Sequence, residues 1–272
     1  LEQYVSLDQS GANNIYSAEV IGGHGKVSAV GSNMMNSEIF FADFEDNTNQ
    51  NDYEIEHIDN WRTSTINRRS TSTAHTGKFS LYVAPNASYT INIPVASEPV
   101  QDYQKKYLHA GYSPSTRTYI VSGWIKDEVN QSGSSDPQTE ISQIIQHHTL
   151  ATLEIESKQV LINIDDAPFV EGWQRFSVEV DLDISDGINI KFSGDKNGAY
   201  LDDLRMYPID GTMKSFVYDD TYQRLQAELD ENNYATFYDY DHEGNLIRIR
   251  KETERGILTL QESYKHTHHP NP

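Results

Sequence analysis

Between Phe176 and Ile184 the apolar residues occupy every second position: Phe176, Val178, Val180, Leu182 and Ile184, with Ser177, Glu179, Asp181 and Asp183 between them. A period of two puts one set on each face of an extended strand, one face buried and the other wet. The chain carries hardly any helical period to set against it. Short strand-like runs recur from Glu38 to about residue 208, notably at 79–83, 89–93, 119–125, 151–155, 159–164, 188–192 and 199–207. Ser185-Asp186-Gly187 predicts a tight turn joining the 176–184 strand to Ile188 in a hairpin. Many short strands punctuated by turn signals predict a β-sandwich. The polar stretches 47–73, 97–116 and 127–139 read as long loops, where binding functions gather on a rigid scaffold.

The chain on either side of this region has a different texture. Residues 1–37 are polar and rich in Gly, Ser and Asn, with apolar patches at 16–21 and 27–30, and read as a lead-in with two short strands. The sandwich spans 38–210. From 211 to 266 a unit beginning at Tyr218-Asp219 recurs at Tyr240-Asp241, with Arg224-Leu225 of the first copy matching Asn245-Leu246 of the second. A period of about 20 residues marks a stacked β-repeat, and two copies need neighbours to bury their faces. They are expected to lean on the sandwich and on further repeats of a longer parent. Residues 267–272 read as a disordered tail. A start at Leu1 rather than methionine reads as a processed product or a piece of a longer protein.

Composition narrows the partners. Acidic residues number 41 against 21 basic ones, a net charge of −20, which repels nucleic acid and anionic membranes. The same carboxylates are ligands for a hard cation such as calcium. With no cysteine, disulfides, thiolate metal sites and cysteine nucleophiles are excluded. No apolar run approaches the roughly 18 residues of a membrane-spanning helix, so no membrane insertion is expected.

Five pieces of the central region, in order and spacing, resemble the galactose-binding-like jelly rolls that include many carbohydrate-binding modules. They are Phe41-Ala42-Asp43-Phe44-Glu45, Ala74-His75-Thr76-Gly77-Lys78-Phe79-Ser80-Leu81, residues 119–126, Glu171-Gly172-Trp173-Gln174-Arg175-Phe176, and Ala199-Tyr200-Leu201-Asp202-Asp203-Leu204-Arg205. The 213–266 segment resembles the tyrosine–aspartate (YD, or RHS) repeats of large secreted and surface bacterial proteins, on Tyr218-Asp219 and on the run from Tyr238 to Leu246. The first copy departs from that pattern, with Tyr222 where glycine is usual. A sandwich followed directly by such repeats resembles an arrangement of Bacteroidetes-type bacterial surface proteins.

The jelly-roll resemblance implies a structural calcium held by Glu45, backbone oxygens around Lys78, and Asp202, with Asp203 as the alternative; the bland reading is a solvated acidic edge. Asp181-x-Asp183-x-Ser185-Asp186-Gly187 has its glycine one place late for an EF-hand and ends on Phe192, so it reads as strand and turn. Sugar recognition needs exposed aromatic faces flanked by polar groups. Trp61, in a polar loop, is the best single platform, and Tyr103, Tyr107 and Tyr112 cluster in the 97–116 loop; each equally describes a residue that fixes its loop. Trp124 and Trp173 sit in apolar strand patterns and read as core. His147-His148 and the tail histidines His266, His268 and His269 are metal-capable, but the tail reads as a disordered end. No nucleophile elbow, zinc-protease helix or phosphate loop is present.

Taken together the sequence predicts an all-β jelly-roll β-sandwich with a C-terminal β-hairpin repeat segment. The leading function is a non-catalytic carbohydrate-binding module of a larger secreted or cell-surface protein, with a polysaccharide or glycan as partner. A structural or adhesive spacer with no sugar ligand is the alternative, and a glycoside hydrolase or lyase comes third.

Overall fold

The computed structural model describes residues 4–7, 14–21, 25–34, 38–45, 69–93, 118–127, 149–155, 158–163, 169–181, 188–194, 198–219 and 221–263. Among them the regular structure is β-strand, without an α-helix, as the period-two patterning predicts. The chain opens with β1 (Tyr4–Leu7), β2 (Asn14–Ile21) and β3 (Val27–Ser32), an antiparallel meander of three strands where the sequence shows two. The sandwich follows with β4 (Phe40–Ala42), β5 (Arg69–Ser70), β6 (Ser80–Val83), β7 (Ser88–Ile93) and β8 (Thr118–Asp127). It continues through β9 (Thr149–Ile155), β10 (Lys158–Asn163), β11 (Phe169–Val170), β12 (Trp173–Asp181), β13 (Ile188–Gly194) and β14 (Ala199–Pro208).

Two sheets make the jelly-roll-type sandwich. The larger runs β11-β12-β8-β14-β6-β5, and the smaller β10-β9-β13-β7. One edge of β14 is shared: Ala199 to Leu201 pair with β6, and Leu204 to Met206 pair with β4. The alternation in β12 holds within the described strand, with Phe176 and Val180 buried and Ser177, Glu179 and Asp181 exposed.

The hairpin expected after it does not form. β12 pairs with β8 in the larger sheet, whereas β13 lies between β9 and β7 in the smaller one. A one-sided pattern reports which face is buried but not from which wall of the core the strand looks in. Phe176 and Val180 meet Ile190 and Phe192 in a single core, so the chain has to change sheets between these strands.

After Gly211 the chain forms a second meander, β15 (Thr212–Tyr218), β16 (Leu225–Leu229), β17 (Ala235–Tyr240), β18 (Leu246–Thr253) and β19 (Gly256–Glu262). Its first strand pairs with β3, Thr212 opposite Ser32 and Ser215 opposite Ala29. The lead-in and the C-terminal segment therefore form one eight-stranded sheet, β1-β2-β3-β15-β16-β17-β18-β19.

Three of its turns share one hydrogen-bonding scheme, the first with one residue more than the other two. Asp219, Asp230 and Asp241 each donate their amide across the turn, to the carbonyls of Arg224, Tyr234 and Asn245. Each also accepts amides of the turn on its own carboxylate, from Thr221 and Tyr222, from Asn232 and Tyr234, and from Glu243 and Asn245. The left-handed position falls on Gln223, Asn233 and Gly244, with φ of 56°, 66° and 87°. The 20-residue unit visible in the sequence thus holds two such turns. The middle one is hidden because Leu229, not tyrosine, precedes its aspartate.

All ten residues of β14 are buried, so the larger sandwich sheet is covered on both faces. On one side Val121, Ile125, Phe176 and Leu201 pack with Tyr89, Ile190 and Phe192 of the smaller sheet. On the other, Trp124, Val170, Trp173 and Tyr200 pack with Tyr234 and Ile257 of the C-terminal strands. Trp124 and Trp173 are core residues as expected, but of this second interface. Gly123 in β8 lies directly under Phe176: a Cβ there would stand 2.9 Å from Phe176 Cζ and 3.3 Å from the Asp202 carbonyl oxygen. Gly123→Ala is expected to destabilise the fold by about 1–3 kcal/mol through overpacking. Urea denaturation of the two proteins checks this, and an unchanged midpoint overturns it.

Candidate functional site

The site is built around an irregularity in β14. The β14–β8 register shifts between Asp202 and Arg205, and Asp203 takes the left-handed conformation, φ 47°. A bulge of this kind re-aims the side chains on either side of it. Here it turns two adjacent carboxylates inward. Asp202 Oδ2 accepts the amides of His75 at 2.7 Å and Thr76 at 3.4 Å, while Asp202 Oδ1 accepts the Asp203 amide at 2.8 Å. Asp203 accepts the Thr76 hydroxyl at 2.8 Å and lies 2.7 Å from His75 Nδ1.

Glu45, from the end of the β4 segment, reaches the same turn: its Oε1 accepts the amides of Lys78 at 2.7 Å and Phe79. Gly77, with φ of +61°, lets it in, since a Cβ there would stand 2.5 Å from Glu45 Cδ. The three residues that the resemblance assigns to calcium, Glu45, Lys78 and Asp202, are therefore neighbours around the 75–79 turn. The oxygen-rich donor set has the chemistry of a calcium site. The turn, however, presents amide donors to the two carboxylates, and among the described residues no group of three His, Asp or Glu side chains is arranged to hold a metal ion. Burial, with the carboxylates of Asp203 and Glu45 beside it, raises the pKa of Asp202 well above the carboxylate range.

His75 joins this cluster to the C-terminal sheet. Its Nδ1 faces Asp203, and its Nε2 lies 3.0 Å from Glu252 Oε1 on β18. Trp124 stacks on the ring, with centroids 4.1 Å apart and planes 15° from parallel. Burial works against a charge on the imidazole, but the hydrogen bonds and negative charge of Asp203 and Glu252 outweigh it and bring its pKa to about 9. Glu252 also accepts the Ala235 amide at 3.0 Å. Around this clamp, Trp124 Nε1 donates to the Asn233 carbonyl at 2.7 Å, and Arg205 donates to the Asp230 carbonyl at 2.8 Å and Ser215 Oγ at 2.7 Å.

Beside His75 and Gly77 a cleft of about 590 Å³ opens between the sandwich and the C-terminal strands. It is lined by Tyr222, Phe237, Tyr238 and Tyr240, with Asp219, Arg224, Gln226, Asp239 and Arg250 among them and Glu171 at the sandwich side. Arg224 lies between two rings, 4.4 Å from the centroid of Tyr222 and 5.1 Å from that of Tyr240. Tyr222 is nevertheless 69% exposed. Asp219 ion-pairs with Arg224 at 3.4 Å, and Asp239 with Arg250 at 3.0 Å and Arg248 at 2.7 Å.

Trp61, Tyr103, Tyr107 and Tyr112 lie outside the described residues, as do the histidine pair and the tail histidines. His75 and the cleft carry no local signature in the sequence. His75 and Glu252 are 177 positions apart, with no pattern linking them. Tyr222 was visible only as a departure from the repeat.

No family model and no curated protein matches the chain. Among solved structures it is similar to a family 35 carbohydrate-binding module from an environmental isolate, at 16% identity over 53% of this chain and 84% of that one, TM-score 0.31. It is similar to a xylan-binding domain from Paenibacillus barcinonensis at 11% identity, over 51% and 78%, TM-score 0.27. A 4-O-methyl-α-glucuronidase with specificity for decorated arabinogalactans matches at 8% identity over 49% of this chain, TM-score 0.31, and the chain spans only 15% of that enzyme's length.

The raised pKa of His75 fixes the direction of a pH effect. The unfolded imidazole has a pKa near 6.5 and the folded one about 9. The folded state binds this proton more tightly, so the stabilisation is complete below about 6.5 and is lost as pH rises to about 9. The difference corresponds to about 3 kcal/mol. Thermal melts from pH 6 to pH 9.5 are expected to fall across that window in the native chain and much less in His75→Gln. Parallel curves for the two proteins overturn the assignment.

Proposed function

We propose that this chain is a non-catalytic carbohydrate-binding module of a larger secreted or cell-surface repeat protein. The observation that carries the reading is the cleft between the sandwich and the C-terminal meander: its lining includes four aromatic residues, of which Tyr222 is largely exposed, among carboxylates, guanidinium groups and an amide. Ring faces suit the apolar faces of a pyranose, and the polar groups between them suit its hydroxyls. The cleft's volume falls within the roughly 300–1,000 Å³ common to small-ligand sites. The motif resemblance to carbohydrate-binding modules points the same way. A calcium ion at Glu45, the backbone around Lys78 and Asp202 belongs to the proposal, supported by the concentration of buried carboxylates at that turn.

The spacer reading has its own observation. β19 is an edge strand with no partner on its outer side among the described residues, and Leu258 and Leu260 on it are 57% and 61% exposed. An uncovered apolar edge fits a sheet that continues into a further repeat.

A glycan array probed with the purified chain, with and without calcium, separates the two. Reproducible hits are expected under the binding-module reading, and a blank array from folded protein in both conditions leaves the spacer. The ion is tested apart from sugar. Millimolar calcium is expected to raise the melting temperature in a concentration-dependent way, and Asp202→Asn to remove the rise. Melting curves that coincide with calcium and with a chelator exclude the ion.

A further inference from the structure

Both guanidinium groups on the cleft wall already have a carboxylate partner in the protein. Asp219 is paired with Arg224 and Asp239 with Arg250 and Arg248, and the His75 ring lies between Asp203 and Glu252. Glu171 faces Lys126, whose ammonium donates to the Glu171 carbonyl at 3.2 Å and feels the Glu171 charge. A ligand carboxylate or sulfate entering the cleft either sets its charge beside the aspartate already on that guanidinium or displaces it. The first is like-charge repulsion in a chain of net charge −20, and the second strands a partly buried carboxylate. A hydroxyl makes no such demand, because a guanidinium in an ion pair keeps N–H groups for a second acceptor: it has five, and Arg250 uses two of its nitrogens on Asp239.

The aromatic platform is built in advance. Asp219 holds the turn by accepting the amides of Thr221, Tyr222 and Arg224. Arg224 lies over the Tyr222 ring on one face, and the residue remains 69% exposed. An exposed aromatic side chain on a turn this constrained loses little freedom when a ligand covers it. Tyr222 stands where the repeat pattern has glycine, and the turn supplies its left-handed residue at Gln223 instead, φ 56°. The Asp219 turn is therefore one residue longer than the other two, and keeps a left-handed residue while gaining the ring.

We infer that the cleft selects uncharged sugar units over uronic-acid or sulfated ones, with a pyranose face on Tyr222 and hydroxyls on Arg224, Asp239 and Arg250. The inference rests on the glycan-binding reading and adds its ligand class and its principal contact.

The test is titration calorimetry of the whole chain with the neutral oligosaccharide that gives the strongest array signal and with a uronate oligosaccharide of equal length. Tyr222→Ala and Tyr222→Phe are measured beside the native chain, and melting temperatures confirm that all three are folded. The neutral sugar is expected to bind at least about tenfold tighter than the uronate; Tyr222→Ala is expected to lose about tenfold or more, and Tyr222→Phe to keep most of the affinity. Tighter binding of the uronate, or full affinity in Tyr222→Ala, overturns this inference and leaves the binding-module reading standing. If the native chain binds no glycan of either kind, both fall together.

Discussion

A protonated imidazole buried between two carboxylates holds the two halves of this molecule together. Removing an ion from water is costly, and a buried pair returns that cost only when geometry and further hydrogen bonds are good. His75 meets the condition from both sides: Asp203 on one ring nitrogen, Glu252 on the other, and the face of Trp124 against the ring. Asp203 belongs to the sandwich and Glu252 to the C-terminal sheet. Without the cation, two buried acids would face each other across the interface, and burial that now unites the sheets would separate them. Arg205 and Trp124 repeat the arrangement with backbone carbonyls of the meander, so the interface is polar at its anchors and apolar between them.

That fastening is what gives the cleft a fixed shape. Its walls come from both sides of the junction, Gly77 and Glu171 from the sandwich and Tyr222, Phe237 and Arg250 from the strands opposite. A groove between two independently moving bodies would have to be ordered by its ligand at a cost in affinity. Here the order is supplied by the clamp beneath it and by the Asp219 turn at its rim.

Much of the fold was legible in the sequence, because strand periodicity is a local property. Phe176, Ser177, Glu179 and Val180 reveal their faces from spacing alone, and the five jelly-roll pieces mark the sandwich. Partnership between sheets was not legible. Nothing local in 182–188 says that the chain leaves one sheet for another, and nothing in Val27 to Ser32 says that its partner is Thr212 to Tyr218. The site divided in the same way. Glu45, Lys78 and Asp202 were named because a family resemblance spans the distance between them. His75 gave no such signal, since its meaning depends on Glu252 far along the chain. Tyr222 was read as an irregular repeat because a motif records the residue a turn requires and is silent about a side chain the turn leaves free to face solvent.

The order of the eight-stranded sheet sets how the molecule bears mechanical load. β1 and β19 lie at opposite edges, and β3 and β15 are neighbours in the middle, with the whole sandwich entering the chain between them. Tension applied through β1 and β19 therefore runs across the strand ladder and peels it from its edges inward, one strand at a time. The sandwich hangs from the central pair like a loop off a taut line and stays slack until β3 and β15 part. A chain threaded this way gives up length at its margins first: the Glu252 arm of the His75 clamp leaves with β18, the second strand from one edge, while the core of the sandwich is the last part to feel the pull.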